Sequence, residues 1–111
     1  MSKNTALPST TGKNLEVLAR HFHALGEVSR LKLIFAVGHR EKNVTELIAA
    51  TGLSQANVSK QLRILTDAAL LIRRKKGVFV FYSTPDSTVL KLCKILNQGF
   101  RSAPYTSLSE F

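Results

Sequence analysis

The sequence has a single cysteine, Cys93, no tryptophan and only seven acidic residues among 111. One cysteine excludes an intrachain disulfide and a zinc site built from a cysteine cluster. No apolar run approaches the ~20 residues that a membrane-spanning helix needs. The N-terminus, MSKNTALPSTTGKN, also lacks the apolar core of a secretion signal. These absences predict a cytoplasmic protein that does not enter a membrane.

Basic residues are what the chain has in excess. Sixteen Lys and Arg against seven Asp and Glu give a formal net charge of +9. Six of the basic residues, with one acid, lie between Lys60 and Lys76. Such a concentration of positive charge favours a polyanionic partner, either a nucleic acid or an anionic membrane. We expect nucleic acid, because these charges do not follow one amphipathic helix.

Apolar spacing and turn residues predict one domain over residues 14–98. It is mainly α with a β-hairpin, in the order ααααββα. Residues 1–13 and 99–111 are predicted to be a flexible N-terminal arm and a loose C-terminal tail. Helix caps are predicted at Ser29, Asn43 and Ser54, the second as a capping box with Glu46.

Residues 43–70, NVTELIAATGLSQANVSKQLRILTDAAL, are the most informative stretch. They predict two short helices joined at Gly52, where a glycine can take a positive φ. In the second helix one stripe should pack inward, formed by Val58, Leu62, Leu65 and Ala69. The opposite face is polar and basic.

Two strands are predicted next, at residues 70–74 and 78–83, with a basic tip at 75–77. A helix-turn-helix followed by a hairpin, or wing, can hold one helix in the DNA major groove while the wing contacts the neighbouring backbone. The pattern therefore predicts double-stranded DNA as the partner.

The predicted DNA-binding residues lie on the outer face of the second helix and on the wing. Gln55 and Asn57 can pair bidentately with adenine, and Arg63 with guanine. Cations on the wing suit phosphates, or the minor groove if the wing is flexible. A merely solvated face is disfavoured, because caps, turn, period and wing all agree. The full set is Ser54, Gln55, Asn57, Ser59, Lys60, Arg63, Arg73, Arg74, Lys75 and Lys76.

These segments resemble the ArsR/SmtB family of bacterial winged-helix repressors. The resemblance rests on GEVSRLKLI at 26–34, VTELIAATGLSQANVSKQLRIL at 44–65 and the basic wing ending in FYS. It implies a winged helix-turn-helix repressor that binds a partly palindromic operator as a homodimer and leaves it when an inducer binds. It also implies dimerisation through residues 14–25 and 87–98, and both segments have more apolar positions than one core should need.

The positions at which the family's metal sensors bind their metal lack ligands here. Asn43 and Thr45 stand where a Cys-x-Cys element would begin the third helix, and the last helix, after Asp86, has no histidine. We therefore predict no metal and no cofactor. His21 and His23 project about 200° apart on the first helix, so ordinary polar or interface roles are favoured over chelation.

Cys93 is a possible redox thiol. It stands where some family members carry one of two sensing cysteines, but the second helix offers no partner cysteine at 35–37. A lone thiol can still be oxidised. Inert burial in the packing surface of the last helix is the favoured alternative. The inducer stays open.

The alternative function is a winged-helix module that binds RNA or a protein partner. RNA recognition would favour an aromatic stacking platform. Phe79, Phe81 and Tyr82 lie in one strand, but the core is expected to account for at least two of them. We do not predict an enzyme, because the sequence has no phosphate-binding glycine loop and no paired carboxylates in a plausible cleft.

Overall fold

A computed structural model describes the backbone of residues 12–102 and the side chains of residues 12–99. Most of the expected N-terminal arm and the tail beyond residue 102 lie outside this part. The described elements follow in the order α1 (Gly12–Leu25), α2 (Val28–Val37), β1 (Lys42–Asn43), α3 (Val44–Thr51), α4 (Gln55–Asp67), β2 (Ile72–Lys76), β3 (Phe79–Ser83) and α5 (Thr88–Ser102). This confirms the predicted mainly α architecture with a hairpin wing.

The strand β1 is an addition to the predicted order. The three strands form one antiparallel sheet in the order β1-β3-β2. β1 pairs Lys42 with Tyr82 and Asn43 with Phe81, at residues where the sequence predicted no strand. Two residues are too few for alternation of apolar and polar side chains to reveal a strand.

The helix boundaries depart from expectation at both ends of the domain. α1 begins at Gly12, within the expected arm. α2 is capped by Glu27, whose carboxylate accepts a hydrogen bond from the backbone N–H of Arg30 at 3.0 Å, and not by Ser29. The longer glutamate reaches a donor that the usual short capping residues would otherwise bind. α5 continues to Ser102, so the first four residues of the expected tail 99–111 are helical.

One hydrophobic core lies where α2, α3 and α4 meet, and the end of α1 and one residue of α5 contribute to it. The stripe of α4 is confirmed at its first three positions, but Ala69 is exposed with φ +61°, beyond the end of the helix. The core residues are Ala24, Leu25, Leu33, Ile34, Val37, Leu47, Val58, Leu62, Leu65, Leu70, Leu71 and Leu90. This packing fixes α4 against the rest of the domain with its other face outward.

Candidate nucleic-acid interface

Local capping sets the geometry of α3, the turn and α4. Asn43 and Glu46 form the predicted capping box, with the two reciprocal bonds at 2.8 and 2.9 Å. Gly52 ends α3 in the left-handed conformation with φ +72°, where a side chain would be strained. The Ser54 hydroxyl then accepts from the backbone N–H of Asn57 at 3.1 Å and begins α4. The two helices are therefore joined by a turn of three residues, with Gly52 capping the first helix and Ser54 the second.

The outer face of α4 is open to solvent at most of the predicted positions. Gln55, Ser59, Lys60 and Arg63 are exposed. The side chain of Arg63 is 85% exposed, and its guanidinium is 4.0 Å from the Asp67 carboxylate, a loose pair that leaves its hydrogens available. Ser54 is exposed as well, but its hydroxyl oxygen already serves as the helix cap.

Asn57 differs from the other predicted residues because it is half-buried and already hydrogen-bonded. Its Oδ1 accepts from Nε2 of Gln61 at 3.0 Å. Gln61 is buried, and its Oε1 accepts from Nη1 of Arg30 on α2 at 2.8 Å. The Nε of Arg30 donates to the carbonyl of Ala24 near the end of α1. A hydrogen-bond network of Arg30, Gln61 and Asn57 thus connects α1, α2 and the outer face of α4.

The wing begins two residues later than predicted, and its tip is at Gly77 and Val78. Gly77 has φ +63°, as tight hairpin turns require. Arg73, Lys75 and Lys76 are exposed. The positive charge on this hairpin therefore faces solvent along most of β2.

Arg74 is the exception on the wing. Its guanidinium donates two hydrogen bonds to the carboxylate of Glu41, at 2.6 and 2.7 Å. Those hydrogen bonds hold the pKa of Glu41 below its usual value, and they raise the pKa of Arg74. Glu41 therefore neutralises the charge of Arg74, one of the predicted DNA-binding residues. The pair also connects the wing to the segment that precedes β1.

The aromatic residues of the wing are less buried than we expected. Tyr82 packs against the core, whereas Phe79 is 57% exposed and Phe81 is half-buried. The rings of Phe79 and Phe81 are 6.3 Å apart and tilted by 45°. The core therefore accounts for one of the three aromatics, because residues two apart in a strand share a face and that face is turned away from the core.

Cys93 is half-buried in α5 and not paired with another cysteine. It borders a cavity of about 460 Å³, together with Phe22, Phe35, Leu92 and Leu96. Burial raises the pKa of its thiol. Within residues 12–102, no group of three His, Cys, Asp or Glu side chains lies close enough to bind a metal ion. None of the helices between residues 12 and 102 combines the length and the apolar character that a membrane span requires.

Sequence reasoning missed Arg30, Gln61 and Glu41. Their partners lie 31 and 33 residues away along the chain, so no local spacing connects them. One signal was available for Gln61: it is a polar residue beside Leu62, close to the apolar stripe of α4. A polar residue at such a position requires a hydrogen-bonding partner.

The chain matches known regulators in sequence. Residues 27–72 match the model of the bacterial regulatory protein, arsR family. The chain is 41% identical over 75 residues to a transcriptional repressor SmtB homolog from Synechocystis, a match that covers 68% of this chain and 57% of that protein. The chain therefore spans little more than half the length of this relative.

Solved structures show the same fold. NolR from Sinorhizobium fredii superimposes with a TM-score of 0.71 at 26% identity, covering 86% of this chain and 98% of that one. The homodimeric winged helix-turn-helix domain of Mb0332 from Mycobacterium bovis gives 0.75 at 22% identity, covering 86% and 89%. At the latter identity the likeness concerns the fold alone. The domain is a winged helix-turn-helix.

Proposed function

We propose that this chain, which belongs to the ArsR family of bacterial regulatory proteins through residues 27–72, is a sequence-specific, DNA-binding repressor of transcription. One observation carries the proposal. α4 buries one stripe and exposes a polar, basic face, and the basic strand β2 follows after only four residues, at 68–71. Because its ligand would be chromosomal DNA, we also propose that it acts in the cytoplasm.

The residues divide into two roles by their chemistry. Gln55, Ser59 and Arg63 are exposed near the outer face of α4, where they would contact base edges in the major groove. Phosphate contacts suit the flexible cations, which are Lys60, Arg73, Lys75 and Lys76. We assign Arg74 a smaller part than the sequence suggested, because Glu41 already holds its guanidinium.

The operator-bound form would be a homodimer that uses residues 14–25 and 87–98. In support, α1 and α5 carry large apolar side chains that the other residues between 12 and 102 leave exposed, among them Leu15, Leu18, Phe22, Ile95 and Leu96. A two-fold axis through such a face would place the two copies of α4 one DNA turn apart, about 34 Å, and match a palindromic operator.

The test is a fluorescence-anisotropy titration of duplex DNA from upstream of the chain's own gene. Random duplex and single-stranded RNA of equal length are titrated in parallel. We expect a preference of about a thousandfold for the upstream duplex. Equal affinity for both duplexes would contradict specific recognition. Preferential binding of RNA would instead support the RNA-binding alternative, with Phe79 and Phe81 as its stacking surface.

Variants separate the two roles. Arg63→Ala should lower affinity for the preferred duplex by about tenfold or more and leave random duplex little changed. Lys75→Ala should weaken both and reduce the salt slope by about one unit. Lys32→Ala, at an exposed lysine on α2 outside both the predicted DNA contacts and the proposed interface, is the matched control and should leave the slope unchanged.

A further inference from the structure

The hydrogen-bond network that ends at Asn57 has a fixed order of donors and acceptors. Gln61 is 7% exposed and lies among the apolar residues that anchor α4. Within the described residues no buried side-chain nitrogen or oxygen lacks a hydrogen-bonding partner, so the buried polar atoms of this network are satisfied. A buried amide in this state costs little, whereas removing either partner would leave an unsatisfied group.

Arg30 fixes that order because a guanidinium can only donate. Its Nη1 is 2.8 Å from Oε1 of Gln61, so the carbonyl end of the Gln61 amide must face Arg30. The amino end then faces Asn57, at 3.0 Å from Oδ1. Asn57 must therefore accept with its oxygen. The network thus determines the orientation of both amides, which would otherwise be open to a flip.

We propose that Arg30 and Gln61 are positioning residues that make Asn57 present its amino hydrogens, and not its oxygen, to the DNA. The inference rests on the proposed function. A bidentate pair with adenine needs both ends of the asparagine amide, one to donate to N7 and one to accept from N6. The bond from Gln61 turns the oxygen of Asn57 toward Gln61 and its amino group outward. That amino group suits bases whose major-groove edge accepts without a neighbouring donor, which are guanine through N7 and O6 and thymine through O4.

Gln61→Glu tests the order of donors and acceptors in the hydrogen-bond network. A carboxylate keeps the bond to Arg30 but cannot donate to Asn57. The amide of Asn57 must then turn to donate to it, which presents the Asn57 oxygen to the DNA. Duplexes selected from a random library should change at one position per half-site, from guanine or thymine to cytosine or adenine, whose amino groups donate.

Two further variants keep the test independent of how well Gln61→Glu folds. Asn57→Asp retains the bond from Gln61 and offers only acceptors, so it should select the same donor bases. Gln61→Met fills a similar space without polar atoms and should reduce discrimination at that position about tenfold, without a new preference. Thermal melting by circular dichroism checks the fold of each variant.

The outcomes separate this inference from the function on which it rests. If the unsubstituted protein enriches no sequence from the library, specific recognition is contradicted, and the role of Asn57 is contradicted with it. A consensus that Gln61→Glu and Asn57→Asp both leave unchanged would overturn the role of Asn57 alone. A switch to donor bases in both variants would support it, since a purely structural role predicts weaker binding and no change of base.

Discussion

Two sets of apolar residues with similar helical spacing have opposite fates in this molecule. On α4, Val58, Leu62 and Leu65 are almost fully buried, with Leu62 at 1% exposure. On α1 and α5 the corresponding residues are open, with Phe22 at 49% and Ile95 at 64%. Both patterns predict an amphipathic helix, but of these two sets only that of α4 is covered by other described residues of the chain.

The difference shows that periodicity identifies a face that must be covered, and not what covers it. α4 packs against α2 and α3 on one side, which leaves its other side for a ligand. An exposed apolar surface of several side chains is unusual on a monomer and marks an interaction site. The α1 and α5 face thus supports the proposed homodimer.

The largest effect should come from the covered stripe. Leu62→Ala is expected to lower the free energy of unfolding by about 2–5 kcal/mol, because it leaves a cavity among packed neighbours. Urea unfolding measures this effect, at a protein concentration low enough for a dimer to dissociate. Leu18→Ala, in the open stripe, is the control and should lose under about 1 kcal/mol there. Equal losses would remove the distinction between the two stripes.

A second prediction concerns the open stripe. Ile95→Asp should raise the dissociation constant of the dimer by about a hundredfold, because an aspartate must be desolvated in an apolar interface. Sedimentation equilibrium measures the constant, and urea unfolding of the dilute chain should change little. Ala49→Asp adds the same charge at an exposed position of α3, outside the proposed interface, and is the control. Dimerisation that survives Ile95→Asp would require a different interface.

Local signals predicted the helix-turn-helix well. Asn43, Glu46, Gly52 and Ser54 each act through partners within four residues, so the sequence contained the whole motif. The two long-range features escaped prediction. Glu41–Arg74 and Arg30–Gln61 depend on how the elements pack, and no spacing rule brings them together.

The same limit applies to the base-reading residues. The residue types Gln, Asn and Arg predicted which side chains can contact bases, but not which atoms are free to do so. Asn57 shows the difference, since a buried glutamine holds its oxygen. Exposure alone would rank Gln55 and Arg63 above it.

The smallest predicted effect lies in the reactivity of Cys93, which reports whether the open stripe is covered. Burial raises the pKa of the thiol, so less thiolate is present at pH 8 than for an exposed cysteine, and alkylation should accelerate as the pH rises toward the shifted pKa. Mass spectrometry after iodoacetamide treatment measures the rate, with the urea-unfolded chain as the reference.

Cys93 borders the cavity that Phe22 and Leu96 also line, on the side where the partner would pack. If the dimer covers this side, Ile95→Asp should increase the alkylation rate several-fold, while Ala49→Asp leaves it unchanged. The single chain already leaves the thiol partly accessible, so a rate equal in all three proteins would mean that nothing further covers it. The apolar face of α1 and α5 would then be open in solution. Its natural cover would have to be a partner other than a second copy of this chain.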